Sequence, residues 1–286
     1  MFIGRAWDGA PCSSVLQLSA GAETRYTTGA AMVDELVKQE QYGAVRVLKM
    51  HRPEKRNAFN NAMYQAMAAA ITAARDDPGV HALLVTGTGD TFCAGQDFSE
   101  MSADAGPEHG FPAFVAALID CDKPILTAVN GPGVGLGLTM LLHTDINYIA
   151  AGARLRVPFV TLGVVPEAAS SLLLPLAIGQ QRAAEILFTA RWIEAEESVA
   201  IGLTFAVVPR ERLFDTALAK ATEIADNPPA AVQHTKRLMR VWRREAIAAA
   251  RQREDDAFQE RLGTPENLEA IQAFFERRAP QFGKPR

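Results

Sequence analysis

The stretches Thr91-Phe92-Cys93-Ala94-Gly95-Gln96-Asp97-Phe98 and Asn130-Gly131-Pro132-Gly133-Val134-Gly135-Leu136-Gly137 decide the fold. Each follows a short apolar run, His81-Ala82-Leu83-Leu84-Val85-Thr86 in one case and Pro124-Ile125-Leu126-Thr127-Ala128-Val129 in the other, bounded by Gly or Pro as buried strands are. Small residues therefore stand where a strand hands over to a helix. Backbone N–H groups are exposed at such a junction, so two junctions side by side can direct a pair of donors at one bound oxygen on which negative charge develops.

Outward from these stretches the pattern stays alternating. Ala44-Val45-Arg46-Val47-Leu48-Lys49-Met50 reads as a strand ending in the His51-Arg52-Pro53 turn. Asn60 can cap a helix running to Arg75, with Met63, Met67, Ala70, Ile71 and Ala74 on one face. Further strands are expected at residues 145–150 and 154–157, which makes the core α/β. After Pro166 the chain turns mainly helical, with short helices at 167–177, 180–190 and 194–201, a last strand at 204–208 and helices through most of 212–278. Asn227-Pro228-Pro229 breaks the later helices and marks a hinge. Three parts result: an irregular N-terminal arm at 1–31, rich in Gly, Ala, Ser and Thr, an α/β core at 32–226, and a helical C-terminal region at 227–286. Met32 also offers a natural chain start.

Composition narrows the partners. With 48% hydrophobic and 22% charged residues over 286 positions, the chain can bury a sizeable core. A net charge of -4 and a pI near 5.8 give no electrostatic reason to expect nucleic acid or a membrane surface, which leaves a small molecule as the expected partner. Cys12, Cys93 and Cys121 lack metal-type spacing, so no metal is expected and a reduced setting fits. No apolar run reaches membrane-spanning length and no secretory signal opens the chain, so the expected location is the cytoplasm.

Gly131, Gly133, Gly135 and Gly137 after an apolar strand also admit a dinucleotide-binding loop or simple close packing. The strand lies mid-chain, and the next strand begins with Asp145, where a ribose-binding carboxylate would stand near its far end. No Gly-Lys-Ser or Gly-Lys-Thr triplet supports a P-loop.

Taken together, the two quoted stretches resemble the oxyanion-hole motifs of the crotonase family, the enoyl-CoA hydratases and isomerases, and the resemblance runs from about Val45 to the C-terminus. It implies a crotonase-like spiral of ββα units, a helical C-terminal region used in oligomerisation as a homotrimer or dimer of trimers, and an acyl-CoA thioester as substrate. No cofactor is implied, since CoA is part of the substrate. Matched position for position, the donors would be the N–H groups of Ala94 and Leu136, with Gly135 the alternative to the latter. Gly95, Gln96 and Phe98 fall within the first motif beside them; Asp97 there reads as a helix cap. Lys55, Arg56 and Ala58 lie on the loop that in this family helps hold the CoA nucleotide; a solvated charge cluster is the plainer alternative for the two cations.

Carboxylates separate the activities. Hydration needs one group to activate water and one to protonate carbon, and the resembled hydratases use two glutamates. Here the matching positions are Thr139 and Phe159. Leu162-Gly163-Val164-Val165-Pro166-Glu167-Ala168-Ala169-Ser170-Ser171 instead resembles the peroxisomal-type Δ3,Δ2-enoyl-CoA isomerase branch, where a glutamate matching Glu167 is the catalytic base. The plain alternative is an acid in a helix first turn after Pro166. His143 reads as a packed histidine, Ser170 and Ser171 as shaping the acyl pocket, and Arg237, Arg240, Arg243 and Arg244 as a solvated or subunit-facing surface. The expected activity is the shift of a 3-enoyl-CoA to a 2-enoyl-CoA through a dienolate, with Glu167 as acid and base. The alternatives are a ring-opening aromatic acyl-CoA isomerase, a hydratase-like enzyme, or a non-catalytic acyl-CoA-binding protein.

Overall fold

In the computed structural model of the chain, residues 35–97 and 110–283 are described. The arm at 1–31, Cys12 and Phe98 lie outside the described residues. A hairpin of β1 (Val37–Tyr42) and β2 (Val45–Met50) opens the fold, followed by α1 (Asn61–Asp76), β3 (Ala82–Gly87), α2 (Phe111–Asp120) and β4 (Ile125–Val129). Next come β5 (Gly133–Val134), α3 (Leu136–Thr139), β6 (Ile146–Ala150) and β7 (Arg154–Arg156). Then α4 (Ser170–Ile178), α5 (Gln180–Thr189), β8 (Ile193–Glu194), α6 (Ala195–Ala200) and β9 (Ala206–Val208) complete the core, and α7 (Leu213–Ala225), α8 (Pro229–Arg240), α9 (Arg244–Arg261) and α10 (Pro265–Glu276) follow.

Six strands form one sheet in the order β1-β2-β3-β4-β6-β9, antiparallel only at the β1–β2 hairpin. A smaller sheet holds β5, β7 and β8. From β4 to β7 successive strands alternate between the large and the small sheet, β8 stays in the small one and β9 returns to the large one, as in the expected spiral of ββα units.

The local signals explain most boundaries. Asn60 Oδ1 accepts the Met63 N–H at 3.0 Å, a cap worth about 1 kcal/mol. The predicted apolar face of α1 is buried, with Tyr64 and Ala66 beside it. Tyr64 packs its ring 5.0 Å from Phe59 and 6.0 Å from Phe114, closing the gap between α1 and α2. The β1 strand was not expected. Its sequence, Val-Lys-Gln-Glu-Gln-Tyr, buries only Val37, because an edge strand needs backbone pairing more than apolar side chains.

The two motif segments are stitched together beyond the ends of β3 and β4. Val134 N–H donates to Cys93 O at 2.9 Å, and Cys93 N–H to Pro132 O at 3.2 Å. A Cβ on Gly137 would lie 2.5 Å from Cys93 O, so a side chain there would force the segments apart. Close approach of two backbones is thus what the glycine run serves. We expect Gly137→Ala to lower the unfolding free energy by about 2 kcal/mol, the usual scale of overpacking, in urea titration; unchanged stability would contradict this contact.

Candidate active site

The first segment is anchored from the loop after β2. Asn57, fully buried and left-handed (φ 54), donates to Thr88 O at 2.9 Å and Thr91 O at 2.8 Å and accepts the Arg52 N–H at 3.0 Å. Arg52 donates to Ala58 O and pairs with Asp97 at 3.1 Å, where both side chains are nearly buried. A pair this sheltered is screened little by salt and fixes the segment's end. Asp97 therefore acts through Arg52; the helix it was expected to cap would fall on residues outside the described ones.

Two donor expectations are settled by where each N–H goes. Ala94 N–H donates to Arg56 O at 3.0 Å, so it is turned into the loop below and is corrected as an oxyanion donor. Phe59 N–H donates to Gly95 O and Asp97 N–H donates to Phe59 O, each at 2.8 Å. The intervening amide of Gln96 must then lie on the opposite edge of the segment, because extended backbone alternates. Gly95 makes the reversal possible with φ +90°, and it passes so close to the second segment that a Cβ would stand 2.9 Å from Val134 O. In the second segment Gly135 N–H is committed to Arg156 O at 2.8 Å. Leu136 N–H begins α3 and has no hydrogen-bond partner among the described residues. The Leu136 side chain is buried.

Glu167 was expected in the first turn of a helix. The helix instead starts at Ser170, and Ala168 and Ala169 are both left-handed, at φ 58 and 57. Two such alanines cost on the order of 1 kcal/mol each and persist only where neighbours hold them. His143 Nε2 donates to Ala168 O at 2.7 Å, and Ser170 Oγ donates to Glu167 O at 2.6 Å. Ser170 thus closes this turn, and Ser171 is tied to α9 through its N–H.

Burial, then the charges of Glu254 and Asp255, raise the Glu167 pKa to about 8. Its charge in turn raises the already buried Cys93 and Tyr64, so the carboxyl lies near both. Cys93 is pushed up to about 12, mainly by burial, and is no nucleophile. His143 is buried and lowered to about 4, again mainly by burial; it stays neutral and structural.

Thr139, one turn before His143, is fully buried, and its Oγ1 has no hydrogen-bond partner among the described residues. Phe159 is buried and Leu162 partly so, on the compact loop that leads to Glu167; Asn267 of α10 donates to Leu162 O at 2.8 Å. Lys55 and Arg56 are exposed, Ala58 is buried, and the Arg56 carbonyl ties this turn to the first segment. Arg240 departs from the expected solvated surface: it pairs with Asp145 at 2.8 Å and donates to His143 O at 2.7 Å. Arg52, Asn57, Tyr64 and Glu254 escaped the sequence reading, because each also depends on a partner far along the chain, Asp97, Thr88, Phe114 and Ala169 respectively.

A family model described as enoyl-CoA hydratase/isomerase matches residues 40–285. The 2,3-dehydroadipyl-CoA hydratase of Escherichia coli (strain K12) is 30% identical over 253 residues, covering 87% of this chain and 99% of that protein. Enoyl-CoA delta isomerase 2 of Rattus norvegicus is 33% identical over 245 residues, covering 82% of this chain and 62% of that protein. The crystal structure of an enoyl-CoA hydratase/isomerase from Pseudoalteromonas atlantica T6c superposes with a TM-score of 0.83 at 40% identity, covering 87% of this chain and 100% of that one. No helix among the described residues is long and apolar enough to cross a membrane.

The raised pKa carries a stability consequence. Between the ordinary carboxyl value of 4.5 and about 8 the folded protein holds a proton on Glu167 that the unfolded chain releases. That contribution is fully present below the ordinary value and is lost as pH rises through about 8. Glu167→Gln, always neutral, escapes the loss. The melting temperature of the variant relative to wild type should therefore climb from about pH 5 to about pH 9; a difference independent of pH would show that the carboxyl is not buried.

Proposed function

The chain belongs to the enoyl-CoA hydratase/isomerase family, and we propose that within it the protein is an acyl-CoA isomerase, moving a double bond from position 3 to position 2 with Glu167 as acid and base. The observation that carries this reading is the buried Glu167 carboxyl, raised to about 8, while Thr139 and Phe159 occupy the positions of the hydratase pair. A base with a pKa of about 8 is ionised in about a tenth of molecules at pH 7, and it is stronger than an ordinary carboxylate at taking a carbon-bound proton.

In this mechanism the Glu167 carboxylate removes a proton from C2 of the 3-enoyl thioester. The electron pair delocalises over the C3–C4 double bond and the thioester carbonyl, giving a dienolate. Its oxygen is held by the N–H groups of Leu136 and Gln96, a kind of contact worth about 3 kcal/mol per donor. The protonated Glu167 then delivers its proton to C4, leaving the double bond between C2 and C3. The proton is conserved on one residue, so the reaction needs no further reactant. The buried Thr139 hydroxyl, at one position of the hydratase pair, cannot ionise to activate water.

Lys55 and Arg56 are proposed to pair with the CoA phosphates. Their turn is joined to the first segment through Arg56 O, which would set the nucleotide near the donors. The exposed side chains of Leu238, Met239, Val241 and Trp242 at the end of α8 are proposed as the subunit contact of a homotrimer, and the cytoplasm as the location.

Purified wild type incubated with a 3-enoyl-CoA should yield 2-enoyl-CoA without 3-hydroxyacyl-CoA on chromatography, and Glu167→Gln should lose roughly a hundredfold or more in kcat. Accumulation of the hydroxyacyl product would overturn the isomerase reading. Charge reversal of Lys55 and Arg56 together should raise KM for CoA thioesters by roughly tenfold with kcat nearly unchanged. Equal KM values would remove these cations from the binding site.

A further inference from the structure

Resting on the reading of Glu167 as the acid and base, we propose that Glu254 of α9 is its positioning residue: one carboxylate from the C-terminal helices pins the left-handed turn behind Glu167 and holds negative charge against it. Glu254 Oε2 accepts the Ala169 N–H at 2.6 Å, and Oε1 accepts the Ser171 N–H at 2.8 Å. The residue is 5% exposed. Helix α4 has no side-chain cap of its own, since Ala169 stands at the cap position and the Ser170 hydroxyl is turned back onto Glu167 O. Glu254 takes the cap's place from a distant part of the chain, where its charge also suits the helix N-terminus. With the Ala168 carbonyl held by His143, one alanine is fixed through its acceptor and the other through its donor.

Among the described residues, two acidic charges act on Glu167. Glu254 and Asp255 face it from α9, and Tyr64 of α1 and Cys93 of the first segment face it as neutral groups. His143, under Arg240, Arg243 and Arg251, stays neutral as well. Asp255 is itself raised by its burial, which the Arg251 charge only partly opposes. Burial raises the Glu254 pKa, and the N–H bonds from Ala169 and Ser171 oppose that rise by favouring its carboxylate, whose charge is the largest acting to keep a proton on Glu167.

The test reads the titration of Glu167 directly in the full-length protein carrying ¹³C-labelled glutamate, the Glu167 side-chain carboxyl resonance being identified by its loss in Glu167→Gln. In Glu254→Gln the titration midpoint should move to lower pH by about half a unit or more, and the rising limb of kcat against pH should move with it. An unmoved midpoint in the folded variant would overturn the proposal, because a merely structural cap lowers the melting temperature and leaves the midpoint in place. Glu254→Asp keeps the charge but withdraws it by one methylene; kcat should fall about tenfold with KM little changed. Wild-type kcat in that variant would overturn the positioning role even where Glu254→Gln fails to fold. Full activity in Glu167→Gln would sink the isomerase reading alone, leaving the titration result for Glu254 to stand or fall separately.

Discussion

The approach of two backbones between Cys93 and Val134 is the contact on which the site depends. A hydrogen bond of 2.9 Å joins them, and Gly137 leaves room for the Cys93 carbonyl where any side chain would intrude. Without this contact the ends of β3 and β4 would still lie parallel in the sheet, but their helix-entry turns would have no fixed relation. The parallel pairing of β3 with β4 delivers the segments to the same edge, and the glycines set their separation. Everything proposed of the oxyanion follows from that separation, since donors act only when their geometry exists before the charge does.

The acid group is held from the other side of the molecule. The loop from Phe159 to Glu167 leaves the small sheet and is met by α9 and α10, through Glu254 on Ala169 and Ser171 and Asn267 on Leu162. The C-terminal helices, expected on resemblance only as an assembly region, therefore also frame the site within one chain. Arg240 and Lys236 of α8 extend the same arrangement to Asp145 at the start of β6. A single acidic side chain joins a strained backbone to a helix that follows it by most of a domain, and strain of this kind survives only where its surroundings overdetermine it.

Local signals in the sequence gave the strands at 45–50, 82–87, 125–129 and 146–150, the buried face of α1 and the Asn60 cap, because period and capping chemistry act within a few residues. The family was legible from two short motifs. What local signals could not give was direction. Ala94 and Gln96 stand two apart in one motif, and the edge to which each N–H points depends on the bridge to Phe59 and the turn at Gly95. Gly135 and Leu136 are separated as donors by the Arg156 carbonyl, on a later strand. Pro166-Glu167 carried the pattern of a helix start, yet the turn that replaces it is fixed by Glu254, whose relation to Ala169 no nearby spacing reveals.

The burial of Cys93 has a consequence for any thioester that binds beside it. A thiolate next to an activated acyl carbonyl exchanges with it, and the enzyme would become its own acyl acceptor. With its pKa pushed up to about 12 by its dry surroundings and by the Glu167 charge, this sulfur stays protonated at any physiological pH. The same exclusion of water that strengthens the glutamate as a base thus keeps its sulfur neighbour from self-acylation.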